Sequence, residues 1–195
     1  MNVYDFDKTI YPGNSTVNFY FYLLPRHPSI VLYVPLQIYS ALRYYLFKKG
    51  DKTQHKATVY RFFKRCNAEQ EAKDFWQTHR RHLKCFYTEH MDESDVIVSA
   101  SPEFFLKPLE ELLPAAKVIA SPVSPKDGSA LGENCYYNEK VRRFYELFPD
   151  GEIDEFYSDS LSDEPMARLS KNAYIVTGSR VHPWDFSKHK KKIHL

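Results

Sequence analysis

Short apolar runs bounded by turn-forming residues punctuate the chain: Val3-Tyr4, Asp95-Val-Ile-Val-Ser99, Lys117-Val-Ile-Ala120, Ile153 to Tyr157 and Ala173-Tyr-Ile-Val-Thr177. Runs this short and this continuously apolar read as strands buried on both faces. Helical signals fall between them. Ser101-Pro102 reads as a helix start, with Ser at the cap and Pro at the first helical position. Val141, Phe144, Tyr145 and Phe148 recur at helical spacing, and Asp163 to Leu169 reads as a further helix. This alternation predicts an α/β fold with a doubly wound parallel sheet covered on both sides.

Residues 13–92 break the rhythm and read as helical throughout, with Phe62, Phe63, Phe75, Trp76 and Leu83 supplying apolar faces among charged residues. The expected organisation is a core of residues 1–12 and 93–195 carrying one helical insertion, 13–92. His79, His82 and Cys85 lie in a charged helical run without a fourth ligand, and read as solvated helix residues rather than a metal set.

Composition narrows the classes. Of 195 residues, 43% are apolar and 27% charged, a globular balance, and the net charge of +2 gives no imbalance that would attract nucleic acid. Cys66, Cys85 and Cys135 have no CxxC spacing, so neither a disulfide scaffold nor a zinc ribbon is expected. The opening MNVYDFDKTI lacks the basic–apolar–small order of a secretory leader, so the expected compartment is a reducing cytoplasm. The Lys188–Lys192 run reads as solvated.

The candidate chemistry lies at the strand ends. Asp5-Phe6-Asp7-Lys8-Thr9 directly follows the first strand, where open α/β sheets bind ligands. Two carboxylates there repel, and a hard cation such as Mg²⁺ would relieve them; a solvated turn is the plainer account. Asp159 and Asp163, in Ser158-Asp-Ser-Leu-Ser-Asp163-Glu-Pro, follow another strand toward the same edge, and read otherwise as a polar loop with a helix cap. Ser99 ends its strand and Lys140 opens a helix between them. A hydroxyl and an ammonium are groups that neutralise a transferring phosphoryl. Taken singly, Ser99 reads as a cap and Lys140 as a surface lysine; the ordered set of four strand ends is what resists accident.

That set, DFDKTI, VIVSASPE, the Lys of NEKVRR and YSDSLSDEP, resembles the haloacid dehalogenase-like superfamily of phosphatases, in its phosphoserine-phosphatase-like branch. The resemblance implies a Rossmann-like fold in which Asp5 is the nucleophile that forms an aspartyl phosphate and Asp7 is general acid and base. It implies Mg²⁺ held by Asp5, the Asp7 main-chain carbonyl and Asp159. Ser99 and Lys140 would bind the phosphoryl oxygens, with Asp163 supporting metal and lysine, and the insertion would be a cap that selects substrate. The chain departs from the pattern twice: Ser158 and Tyr137 stand where relatives often carry Gly.

Phe19 to Phe47 is apolar and aromatic, with Pro35 and Arg43 arguing against a span, and residues 43–65 hold eight Lys or Arg against one Asp. An apolar hairpin beside a basic helix fits an anionic membrane surface; a cap core with a solvated basic face is the alternative. This segment, with YSDSxxDxP, resembles phosphatidylglycerophosphatase C-type bacterial phosphatases. A lipid phosphate at the inner face of the cell membrane is the substrate that resemblance implies. The competing expectations are a soluble phosphatase of a small, phosphoserine-like metabolite, and a non-enzymatic binder.

Overall fold

A computed structural model describes residues 1–47, 52–113 and 117–189. Six strands, β1 (Asn2–Tyr4), β2 (Val96–Pro102), β3 (Lys117–Ser121), β4 (Ile153–Ser158), β5 (Ser170–Thr177) and β6 (Arg180–Pro183), form one sheet in the order β3-β2-β1-β4-β5-β6. The first five are mutually parallel and β6 is antiparallel to β5. The expected all-parallel sheet thus becomes a mixed one. The cause is the turn at Gly178-Ser179, where Gly178 takes φ 61° at the first turn position, as a two-residue type II′ hairpin requires.

The helices are α1 (Ser15–Leu23), α2 (Val34–Ala41), α3 (Lys52–Tyr60), α4 (Ala68–His79), α5 (Cys85–Thr88), α6 (Glu103–Leu106), α7 (Leu109–Leu112), α8 (Asn138–Leu147) and α9 (Glu164–Ala167). Residues 13–92 are therefore helical, as expected, but broken by tight turns at Pro28–Tyr33, Arg61–Arg65 and Arg80–His82 and by a wide π turn at Leu42–Leu46. Pro28 and Pro35 each sit in the first turn of a new helical piece, where a missing N–H costs nothing.

Neighbouring residues of the central strands bury on opposite faces. Val3, Val96 and Val98 join Phe144, Phe156 and Met166 on one side, while Tyr4 and Ile97 join Phe19, Phe63, Phe75 and Trp76 on the other. Both faces are covered, which explains the unbroken apolar runs. α4 buries Ala68, Ala72, Phe75 and Trp76, one stripe at helical spacing. Trp76 packs edge-on against Phe6 and Tyr11 at 5.5 and 5.6 Å and donates from Nε1 to the Phe105 carbonyl at 2.6 Å. The helical segment is thereby anchored on the loop that carries Asp5 and Asp7.

The Phe19–Phe47 stretch divides. Phe19, Leu23 and Ile30 are wholly buried, whereas Leu32, Ile38, Tyr39, Leu42, Leu46 and Phe47 lie on the surface, Leu32 and Leu46 about 70% exposed (70% and 68%). Among the described residues no helix is long and apolar enough to cross a membrane. Lys48 and Lys49 lie outside the described residues.

Candidate active site

β1 lies at the middle of the sheet and ends at Tyr4, so the next residues leave at its carboxyl edge between β2 and β4. The Asp5 N–H still donates to the Tyr157 carbonyl at 2.8 Å, continuing the ladder one residue past the strand. Beyond it the chain turns back: Ile10 and Tyr11 N–H groups both bond the Phe6 carbonyl, and Lys8 takes φ 62°. The turn keeps Phe6 in the core and leaves Asp5 and Asp7 facing the sheet edge.

Asp5 is buried among polar partners. Its Oδ1 accepts from Lys140 Nζ at 2.6 Å and its Oδ2 from Thr9 Oγ1 at 3.1 Å. Lys140, in the first turn of α8 and only 2% exposed, also donates to Asp163 Oδ2 at 2.8 Å. Ser158 Oγ donates to the same Asp163 oxygen at 2.7 Å. The Ser158 hydroxyl thus occupies inward-facing space that a glycine would leave empty, and uses it to hold Asp163. Thr9 Oγ1 accepts from the Asp159 N–H at 2.8 Å, tying the loop after β4 to the loop after β1.

Burial pushes the Asp5 carboxyl up to about 7, against the opposing pull of the Lys140 ammonium, with Asp163 and Asp159 adding repulsion. Burial works against the Lys140 ammonium as well, but the Asp163 and Asp5 carboxylates outweigh it and hold the lysine protonated beyond its ordinary range. Asp159 is also raised, by burial first and then by Asp163 and Asp7, with Lys8 and Lys140 opposing. Carboxylates therefore outnumber cations at this edge.

That imbalance, and a donor set made only of oxygens, fits a hard divalent cation. Among the described residues no three His, Cys, Asp or Glu side chains form a metal-holding group. The set implied by resemblance needs only two carboxylates, Asp5 and Asp159, beside the Asp7 carbonyl.

Asp7 is held from two sides. Its Oδ1 accepts from the Ser15 N–H at the start of α1, and its Oδ2 from Ser101 Oγ, both at 2.7 Å. Two expectations are corrected here. Ser99 does not end its strand, because β2 continues to Pro102 through a register irregularity after Val98; and Ser101-Pro102 does not start a helix in the expected way, since Pro102 itself is the cap of α6. Ser99 is buried, and its Oγ accepts from the Ser101 N–H at 3.1 Å.

A cavity of about 550 Å³ opens beside Asp7, between the sheet edge and α1, α2 and α3. Its polar end is Asp7, Thr16 and Ser101; its far wall is aromatic, with Tyr20, Phe21, Tyr45 and Phe62. The Tyr20 phenol is buried there with no hydrogen-bond partner among the described residues. Lys56, reaching in from α3, donates to the Ala100 carbonyl at 2.7 Å and Asn134 Oδ1 at 2.8 Å. The structure thus brings together Asp5, Lys140, Asp163 and Asp159 directly or through Thr9, with Asp7 and Ser99 joined through Ser101.

The mixed sheet thus carries carboxylates at the carboxyl edge of its central strand, with a helical insertion between its first two strands in sequence. A family model for haloacid dehalogenase-like hydrolases matches residues 3–168, and the chain belongs to that family. A search of curated proteins gave no match. Among solved structures, a protein of unknown function from Bordetella pertussis Tohama I is similar over 89% of this chain and 87% of its own, with TM-score 0.69 and 16% identity. A phosphoserine phosphohydrolase-like protein from Francisella tularensis subsp. tularensis SCHU S4 is similar over 89% and 86%, with TM-score 0.54 and 15% identity. Cytosolic 5'-nucleotidase IIIB, bound to cytidine, is similar over 92% and 70%, with TM-score 0.53 and 16% identity. At these identities the likeness is one of fold.

Proposed function

We propose that the protein is a Mg²⁺-dependent phosphomonoester hydrolase that works through an aspartyl phosphate on Asp5 and acts on a lipid phosphate, such as phosphatidylglycerophosphate, at a membrane surface. The observation that carries the chemistry is the buried Asp5 carboxylate, fixed between Lys140 and Thr9 at the end of the central strand. Burial strips water from this nucleophile, and the Lys140 ammonium opposes the protonation that burial favours. Asp7 hands a proton to the leaving oxygen and then takes one from the attacking water. Lys140 and Ser99 face the phosphoryl oxygens, and Asp163 with Ser158 orients Lys140. Asp5, Asp159 and the Asp7 carbonyl would hold Mg²⁺, whose charge would offset the phosphoryl negative charge.

Residues 13–92 serve as the cap over this site. Support for a lipid substrate comes from the cap surface: Leu32, Ile38, Leu42, Leu46 and Phe47 expose apolar side chains, and Tyr45 lines both that face and the cavity reaching Asp7. An amphiphile could keep its tail on that face while its phosphate enters the cleft.

The test is phosphate release from lipid phosphates in detergent micelles and from small phosphomonoesters, by the parent and by Asp5→Asn, with and without Mg²⁺. Asp5→Asn is expected to lose many powers of ten, since no other nucleophile replaces it. Undiminished turnover in Asp5→Asn would refute the mechanism. Turnover confined to small soluble phosphates would leave the chemistry standing and remove the lipid assignment.

A further inference from the structure

We propose that Ser101 is the positioning residue for the Asp7 carboxyl, an inference that rests on Asp7 being the proton donor to the leaving group. Nothing in the motif pattern marks this serine, which sequence reading assigns to a helix cap. The register irregularity between Val98 and Pro102 places it elsewhere, at the sheet edge beside the cavity. Irregularities of this kind re-aim side chains near active sites.

Three contacts fix the residue, two of them through its hydroxyl. The Ser101 N–H donates to Ser99 Oγ at 3.1 Å, its Oγ donates to Asp7 Oδ2 at 2.7 Å, and Oγ lies 3.2 Å from Thr16 Oγ1. Ser101 is 4% exposed, so water competes little for these bonds. The two partners of Asp7 differ in kind. The Ser15 N–H on Oδ1 can only donate, whereas a hydroxyl can donate to a carboxylate and accept from a carboxyl. The Ser15 bond thus holds Oδ1 whenever that oxygen is free of the proton, while the Ser101 hydroxyl can hold Oδ2 in both forms that Asp7 adopts in the cycle, as donor or as acceptor. When Asp7 carries the proton, Ser101 can turn its own hydrogen toward Thr16.

In the first step an Asp5 oxygen bonds to phosphorus and the bond from phosphorus to the leaving oxygen breaks. Its electron pair stays on that oxygen, which takes the Asp7 proton. In the second step water gives a proton to Asp7 and its oxygen bonds to phosphorus; the bond to Asp5 breaks, restoring the Asp5 carboxylate and releasing phosphate. A misplaced Asp7 impairs the first step in proportion to how badly the leaving group needs a proton. Alkoxides need one; nitrophenolate scarcely does.

The experiment compares kcat/KM for glycerol 3-phosphate and p-nitrophenyl phosphate in the parent, Ser101→Ala, Ser101→Thr and Asp7→Asn. This ratio covers steps only through departure of the leaving group, so the shared second step drops out. Ser101→Ala should lower the alkyl value by about 30-fold, part of what proton transfer contributes, and the aryl value by no more than about 3-fold. Ser101→Thr should recover most of the alkyl activity. Equal losses on both substrates would mean a structural role only and overturn the proposal, as would no loss on either. Selectivity in Asp7→Asn without it in Ser101→Ala would overturn the proposal alone; equal losses on both substrates in Asp7→Asn would overturn the proton-donor reading of Asp7 and this proposal with it.

Discussion

Lys140→Met tests whether the buried charge cluster is held together by one ammonium. Lys140 bonds Asp5 at 2.6 Å and Asp163 at 2.8 Å while only 2% exposed. Methionine keeps similar length and apolar stem but removes the charge. Breaking a buried pair by deleting one partner costs about 3–5 kcal/mol, because the remaining charge stays desolvated. For a chain of this length that corresponds to a fall in Tm of about 6–20 °C. The loss should also depend on pH. Burial and neighbouring carboxylates already raise Asp5 to about 7 with the ammonium present, while an unfolded aspartate titrates near 3.9, an ordinary value. Without the ammonium the Asp5 of the folded variant binds its proton at higher pH than in the parent, so above about pH 7 the folded variant holds a proton that the folded parent lacks, and below it both hold one. A folded state that binds more protons than the unfolded state gains stability as pH falls. The gap between parent and variant should therefore narrow as pH falls toward about 7, by about 1.4 kcal/mol per unit over the range where only the variant holds that proton, and stay level below it. Denaturant unfolding followed by circular dichroism across this range measures it. A gap under about 1 kcal/mol at pH 7.5, or one that does not change with pH, would refute the reasoning.

Tyr137 holds φ 56° and ψ −124°, a conformation that suits glycine, directly before α8. Tyr137→Gly should raise stability by about 1–2 kcal/mol, strain relief less the entropy that glycine loses, and Tyr137→Ala should fall short of it in the same thermal melt; an Ala variant as stable as Gly would contradict the strain. On the cap surface, Leu42→Ser with Leu46→Ser should weaken binding to anionic phospholipid vesicles by roughly 30- to 140-fold, taking each leucine as partly inserted, about 1–1.5 kcal/mol apiece. Cosedimentation would show it, and unchanged binding would remove these side chains from any lipid contact.

Much of this site could be read from residue order because parallel strands buried on both faces leave an unmistakable trace. Val96-Ile-Val98 has no polar alternation since Ile97 packs under the helical segment while Val96 and Val98 pack on the other side. The acidic and basic residues that follow such runs must gather at one edge, and Asp5, Lys140 and Asp163 do. What stayed hidden depends on contacts rather than local pattern. Ser101-Pro102 carries the chemistry of a helix start, but pairing of Pro102 with Ser121 keeps it in the sheet. β6 is exposed along all four residues, so no apolar period announces it, and the reading ends at the Ala173–Thr177 strand; the turn pair Gly178-Ser179 is the one signal that could have extended it. The Phe19–Phe47 run is apolar from end to end, and periodicity could not say that Ile30 would be buried and Leu32 exposed.

The central place of β1 has a consequence for assembly. Its three residues pair with β2 on one side and β4 on the other, segments that begin about 90 and 150 residues further along the chain. Neither partner exists while the first half of the polypeptide is being synthesised, whereas α1, α4 and the turns between them can make local contacts early. Closing loops of that length costs entropy before any ladder bond repays it, so sheets of this kind form late. A nascent chain halted before residue 153 therefore has the segments of α1 to α8 but no Tyr157 carbonyl to accept the Asp5 N–H and fix that loop. The placement of Asp5 thus waits on the second half of the chain.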